Sequence, residues 1–206
     1  VIYDGEAITL PGIAQQQEEA DKTEGVDGNG TAEEVNSAVT AAAQQIPDDA
    51  QEQGDREKID EENGIEIATY TDTEGNIIGK RQFNGENIMW ESTIAANEDG
   101  TTTETRSWTD SGNVQVIKYD SEGKELSVNT VQQGGVTSRA EYSYDDSGVK
   151  TGSITYSQDG AEIGTGTQSF DTDGSYSEHI EYTGGENAGQ TIDTTYTKAG
   201  VTSSKT

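Results

Sequence analysis

The sequence predicts an all-β chain: an antiparallel meander of short hairpin repeats forming a thin or single-layer curved sheet, preceded by an N-terminal segment with one short helix. Three observations carry this expectation. A glycine follows a large aromatic residue by four positions at Trp108/Gly112, Tyr119/Gly123, Tyr144/Gly148, Tyr156/Gly160, Phe170/Gly174 and Tyr196/Gly200. The residues between strands read "DSG", "SEG", "QDG" and "DTDG", placing Asp or Ser beside a Gly able to take the positive φ of a tight hairpin. Between these turns the residues alternate: Val136, Ser138, Ala140, Tyr142 and Tyr144 fall on one face of a strand, and Thr137, Arg139, Glu141 and Ser143 on the other.

The chain divides near residue 63. In the first part, residues 1–63, "VIYDGEAITL" predicts a short strand that Pro11-Gly12 ends. Thr31 and Glu34 form a capping box, and Val35, Ala38, Val39, Ala42 and Ile46 follow at helical spacing until Pro47. This predicts a helix from about Ala32 to Gln45. "DDAQEQGDREKIDEEN" has almost no apolar face and reads as a solvated helix or a flexible linker. Residues 64–206 form the hairpin-repeat part, with ten or eleven strands expected.

The apolar content limits the thickness of that sheet. From residue 64 on, about one residue in five is Val, Ile, Leu, Met, Phe, Tyr or Trp. A two-layer sandwich needs close to every second strand residue to be apolar, whereas "AEIGTGTQSF" offers two. The low apolar content therefore favours a thin sheet stabilised by aromatic and Thr ladders, or a sheet covering a partner; at about 0.2–1 kcal/mol per cross-strand pair, many pairs or a neighbouring chain must share the stabilisation.

Tyr142-Ser143-Tyr144-Asp145-Asp146-Ser147-Gly148, with "KYDSEGK" and "FDTDGS", resembles the Y-x-Y-D-x-x-G core of bacterial YD (RHS-type) repeats, and the hairpin style is similar to MORN-like repeats. The likeness covers roughly residues 64–200. Thr109, Ser157 and Thr197 stand where the pattern has Asp, and the repeat is shorter than a usual YD unit. The resemblance implies a cell-surface or secreted β-repeat protein used for structure, encapsulation or contact, and implies no catalytic residues.

Composition narrows the function classes. Forty acidic residues against 12 basic ones give a formal charge of -28, which repels phosphate backbones and anionic lipid surfaces. Nucleic acid is therefore not an expected partner, and no apolar run is long enough for a membrane span. The absence of cysteine excludes disulfide and thiol chemistry. Abundant Thr, Ser, Gly, Asp and Asn fit an exported bacterial protein, secreted or at the cell surface.

The candidate sites are few. Asp145-Asp146 and Asp171 with Asp173 are the weak candidates for calcium, since turns two strands apart fall at the same end of a meander. Glu98-Asp99 is a further acidic turn. "GVDGNGTAEEVN" supplies Asp27, Asn29 and Gly30 at positions of a calcium loop, but Gly25 and Asn36 stand where its first and last ligands belong. Trp90 and Trp108 are candidates for stacking on a sugar ring. His179 is the only histidine, without a second imidazole for a metal, and its position sets it opposite Tyr176, Ile180 and Tyr182.

The expected function is non-enzymatic: a structural, adhesive or self-assembling β-repeat protein that pairs strands with itself or another surface protein, with "VIYDGEAITL" able to serve as a donated strand. The alternative is a carbohydrate-binding module of an exported polysaccharide-processing system, with polysaccharide as partner. A polysaccharide-cleaving enzyme ranks last, because only four arginines and eight lysines are available beside the acids.

Overall fold

A computed structural model describes residues 45–61, 63–197 and 200–206. The expected strand in "VIYDGEAITL", the loop around Asp27 and Asn29, and residues 32–44 of the expected helix lie outside the described residues; Gln45 is described and is not helical.

The strands are β1 (Gln51–Glu52), β2 (Glu57–Asp60), β3 (Ile65–Thr71), β4 (Ile77–Asn84), β5 (Asn87–Ala96), β6 (Thr102–Trp108), β7 (Val114–Tyr119), β8 (Glu125–Val131), β9 (Val136–Tyr144), β10 (Lys150–Gln158), β11 (Ala161–Phe170), β12 (Tyr176–Tyr182), β13 (Thr191–Thr197) and β14 (Gly200–Lys205). From β3 onward their spatial order follows the chain, in an unclosed antiparallel meander. The fold is thus the all-β meander that the sequence predicts, with twelve strands after residue 64 rather than ten or eleven. The one helical piece among the described residues is a 3-10 turn at Gly185–Asn187, between β12 and β13. Two compact units divide between Val116 and Ile117, inside β7.

The acidic stretch before residue 64 is neither helix nor linker. Glu52 pairs with Tyr70 and Glu57 with Ile67, and between the two short strands the Gln53 N–H donates to the Thr69 carbonyl at 2.8 Å. The strand conformation is imposed from outside by the open edge of β3. Few of the segment's side chains are apolar, and Ile59 remains 49% exposed.

Six connections share one hydrogen-bond pattern, opened by Asp72, Asn97, Asp120, Gln132, Asp145 and Asp171. In each, a glycine three residues on donates its N–H to the first residue's carbonyl at 2.9–3.2 Å, and the first residue's N–H reaches the carbonyl four positions on at 2.8–3.1 Å. Those glycines, Gly75, Gly100, Gly123, Gly135, Gly148 and Gly174, have φ between 80 and 90°. This is the three-residue hairpin loop whose last residue must be left-handed. Asp159-Gly160 instead makes a two-residue turn with φ of 51 and 78°, the double positive φ that such a turn requires.

Each unit has its own small apolar centre. In the first, Ile46 packs with Ala68, Tyr70 and Phe83, flanked by Ala50. Ile46 belongs to no helix here. It drops onto Gly79, where an added Cβ would lie 2.7 Å from Ile46 Cγ1 and 2.5 Å from the Ser92 carbonyl oxygen. Its N–H donates to Glu91 Oε1 at 3.1 Å. In the second unit Ala140, Ile154 and Ile180 are buried, with Tyr142, Tyr156 and Tyr182 packed against them.

Strand glycines are what let those rings lie flat. An added Cβ at Gly152 would meet Tyr142 Cδ1 at 2.8 Å, and one at Gly164 would meet Tyr182 Cδ1 at 2.9 Å. At Gly166 it would fall 1.9 Å from the His179 carbonyl oxygen. Gly166→Ala must displace backbone, and Gly79→Ala must displace Ile46 and the Ser92 carbonyl; each is expected to cost about 1–3 kcal/mol or more in urea unfolding. Gly152→Ala, where the Tyr142 ring and the Gln168 side chain must move but no backbone atom is met, is expected to cost less. Equal losses for all three would contradict this account of the sockets.

Candidate functional site

The register in the second unit sorts side chains into two chemically distinct faces. Cross-strand partners point to the same side. One row therefore runs Lys150, Phe170, Tyr176, Tyr196, Val201 across β10 to β14, the next runs Tyr142, Gly152, Gln168, Glu178, Thr194, Ser203, and a third runs Ala140, Ile154, Gly166, Ile180, Ile192, Lys205. The opposite face carries Ser143, Thr151, Ser169, Ser177, Thr195 and Thr202 in one row and Glu141, Ser153, Thr167, His179, Asp193 and Ser204 in another. His179 stands opposite Tyr176, Ile180 and Tyr182, as its sequence position predicts.

The ring row is a stack. Phe170 and Tyr176 lie 5.1 Å apart at 22°, and Tyr176 and Tyr196 lie 4.2 Å apart at 11°. Tyr142 meets the edge of Phe170 at 5.6 Å. A cation closes the β10 end: Lys150 Nζ is 3.6 Å from the Tyr142 centroid and 4.3 Å from that of Phe170, and it also pairs with Glu125. At the other end the stack runs out at Val201, which is 56% exposed. Beside the stack, Glu178 accepts from Gln168 Nε2 at 2.6 Å and from the Tyr156 hydroxyl at 3.3 Å. Burial, followed by the charge of Glu178, raises the Tyr156 pKa; burial, then Tyr196 and Glu178, raises that of Tyr176. Both stay neutral phenols.

In the first unit, arginines lie on the rings. Arg56 sits 3.9 Å over Phe83 and Arg81 4.9 Å over Tyr70, while Arg81 also pairs with Glu91. Trp90 and Trp108 are cross-strand partners, with the Arg106 guanidinium 4.4 Å and 5.7 Å from their centroids and donating to Glu104 at 2.9 Å. The two tryptophans singled out for sugar stacking are therefore brought together, but Trp90 is only 6% exposed. Trp108 is half-buried.

The acidic turns are occupied by their own loops. Asp145 Oδ1 accepts from the N–H groups of Ser147 and Val149 at 2.8 and 2.9 Å. Asp171 and Asp173 both accept from the Ser175 hydroxyl, at 3.3 and 2.6 Å. Asp146, in the Asp145 loop, is exposed, as is Asp99, which accepts from Thr101 N–H at 2.9 Å. Among the described residues no three His, Cys, Asp or Glu side chains are grouped as a metal site requires. The signal missed in the sequence was Asp72: hydrogen bonds from the Asn76 side chain and then its N–H hold that carboxyl below its usual range, in the same loop, though no aromatic directly precedes it.

The chain matches no family model and no curated protein.

On the hydroxyl-rich face, His179 Nδ1 lies 2.5 Å from Asp193 Oδ1, with Glu181 Oε1 3.8 Å from Nε2. The Asp193 hydrogen bond is the main reason its pKa is raised above 6.5. A raised folded pKa means that this pair's contribution is full below the unfolded pKa and is lost as pH rises through the folded one. The lone histidine gives a clean proton NMR titration: its midpoint is expected above the usual His value and to fall back in Asp193→Asn. An unchanged midpoint in that variant would remove Asp193 as the cause.

Proposed function

We propose that the chain is a non-enzymatic β-repeat protein, secreted or displayed on a bacterial surface, with a structural, adhesive or self-assembling role. The observation that carries this reading is the end of the sheet. Among the described residues no strand pairs with the outer edge of β14, and the ring stack leads across the strands to an exposed Val201 on that same strand. A sheet edge of this kind is a template for another strand.

The fate of the other candidates supports the same reading. The rings cover the sheet and hold one another; the Asp145, Asp171 and Asp173 carboxylates hold their own turns. Each is a component of architecture before it is a ligand. The likeness of Tyr142–Gly148 to YD repeats agrees with a surface role. Glycan binding ranks second, because Arg106 already lies over the Trp90 and Trp108 rings. Calcium, if bound, would have to compete with the loop hydrogen bonds of Asp145 and Asp173.

Light scattering over a concentration series tests the self-assembling role. The mass is expected to rise above the 21.9 kDa of one chain, with or without added calcium. A mass that stays at one chain up to high micromolar concentration would contradict it.

A further inference from the structure

We infer that the outer edge of β14 pairs antiparallel with β14 of a second copy of this chain, centred on Ser203; this rests on the self-assembling reading above. The backbone sets which groups are offered. Thr191 and Thr206 exchange both N–H···O bonds, at 2.8 and 2.9 Å. Hydrogen-bonded and non-bonded pairs alternate along an antiparallel ladder. With the register Asp193↔Ser204 and Thr195↔Thr202, Thr202, Ser204 and Thr206 bond inward to β13. Val201, Ser203 and Lys205 then turn their N–H and C=O groups outward. Centring two copies on Ser203 opposes these three residues to one another: Ser203 to Ser203 and Val201 to Lys205, in both directions.

The side chains on that face fit this register. Thr194 Oγ1 and Ser203 Oγ lie 3.2 Å apart, so the pairing joins two hydroxyl rows into one that runs Thr194, Ser203, Ser203, Thr194. Val201 gains the methylene stem of the second copy's Lys205. That lysine does not guard the edge with its charge, because its Nζ is turned back to Asn187 Oδ1 at 2.7 Å.

Charge favours a second copy meeting here. Residues 198–206 contain Lys198 and Lys205 and no acid, in a chain with formal charge -28. Elsewhere two copies repel; at this edge they approach with the least repulsion. Among the described residues the other end of the strand order is blunted, since β1 and β2 are strands of 2 and 4 residues bearing Glu52, Glu57 and Asp60, the short charged form that discourages pairing. One self-complementary edge among the described residues closes as a two-fold dimer rather than a filament.

The test uses the full chain and three variants, with far-UV circular dichroism to confirm strand content. Ser203→Pro removes one outward N–H per copy and no bond to β13, a position where an edge strand tolerates proline; by symmetry the pair loses two hydrogen bonds, and dimer dissociation is expected to rise about tenfold or more. Ser203→Cys introduces a single thiol into a chain that has none. Opposed α-carbons of such a pair lie about 5.5 Å apart, within disulfide reach, so mild oxidation is expected to give a covalent dimer of twice 21.9 kDa. Thr202→Cys, which the register opposes to Ser204, is expected to give none. If the wild-type chain associates but Ser203→Pro associates equally well, or Ser203→Cys gives no more covalent dimer than Thr202→Cys, the β14 pairing is overturned and the broader self-assembling reading stands. A wild-type chain that stays monomeric overturns both.

Discussion

Among the described residues every strand belongs to one unclosed sheet, and the need to cover its apolar face with little apolar material shapes each unit. Among the described residues, water is kept off Ala140, Ile154 and Ile180 by neighbours in the same sheet. Tyr142, Tyr156 and Tyr182 do this from neighbouring positions, and the glycines at 152, 164 and 166 leave the room that lets rings and side chains settle against the backbone. In the first unit the cover is Ile46 on Gly79 together with guanidinium groups over Phe83, Tyr70 and Trp90. Three of the four arginines of the chain are used in this way.

The magnitudes favour rings over ion pairs as the stabilising element. An exposed salt bridge contributes about 0–1 kcal/mol, whereas a cation over a ring contributes about 0.5–1 kcal/mol when exposed and about 2 when desolvated. Lys150, whose side chain is mostly buried between Tyr142, Phe170 and Glu125, has both. Long side chains also cover apolar surface with their stems, so a strongly charged chain with little apolar content can still shield its sheet. The large acidic excess is left largely to the turns and the exposed positions, where Asp72, Asp120 and Asp145 each accept two N–H groups of their own loop.

The hairpins were legible because their information is local. The positive φ at Gly112, Gly123, Gly148, Gly160 and Gly174 follows from the aromatic-to-glycine spacing, and the faces of "VTSRAEYSY" follow from alternation. What was illegible depends on partners distant in sequence. β1 and β2 have no strand pattern of their own and borrow their conformation from β3. The glycines of "AEIGTGTQSF" read as poverty of apolar residues, yet Gly164 and Gly166 are the fit beneath Tyr182 and beside Ile180. Trp90 reads as a stacking platform until Arg106 is placed over it. The two faces of the second unit, one ringed and one hydroxylated, emerge only once the register is fixed.

The most direct measurement of the central claim is the proton chemical shift of the Lys150 ε-methylene and the Arg106 δ-methylene in the folded chain. Both groups adjoin cations lying over ring faces, so the account predicts that ring currents move both signals well upfield of their unfolded positions. Shifts at the unfolded values would mean that these side chains wave in solvent, and that the sheet is covered by something other than its own rings and cations.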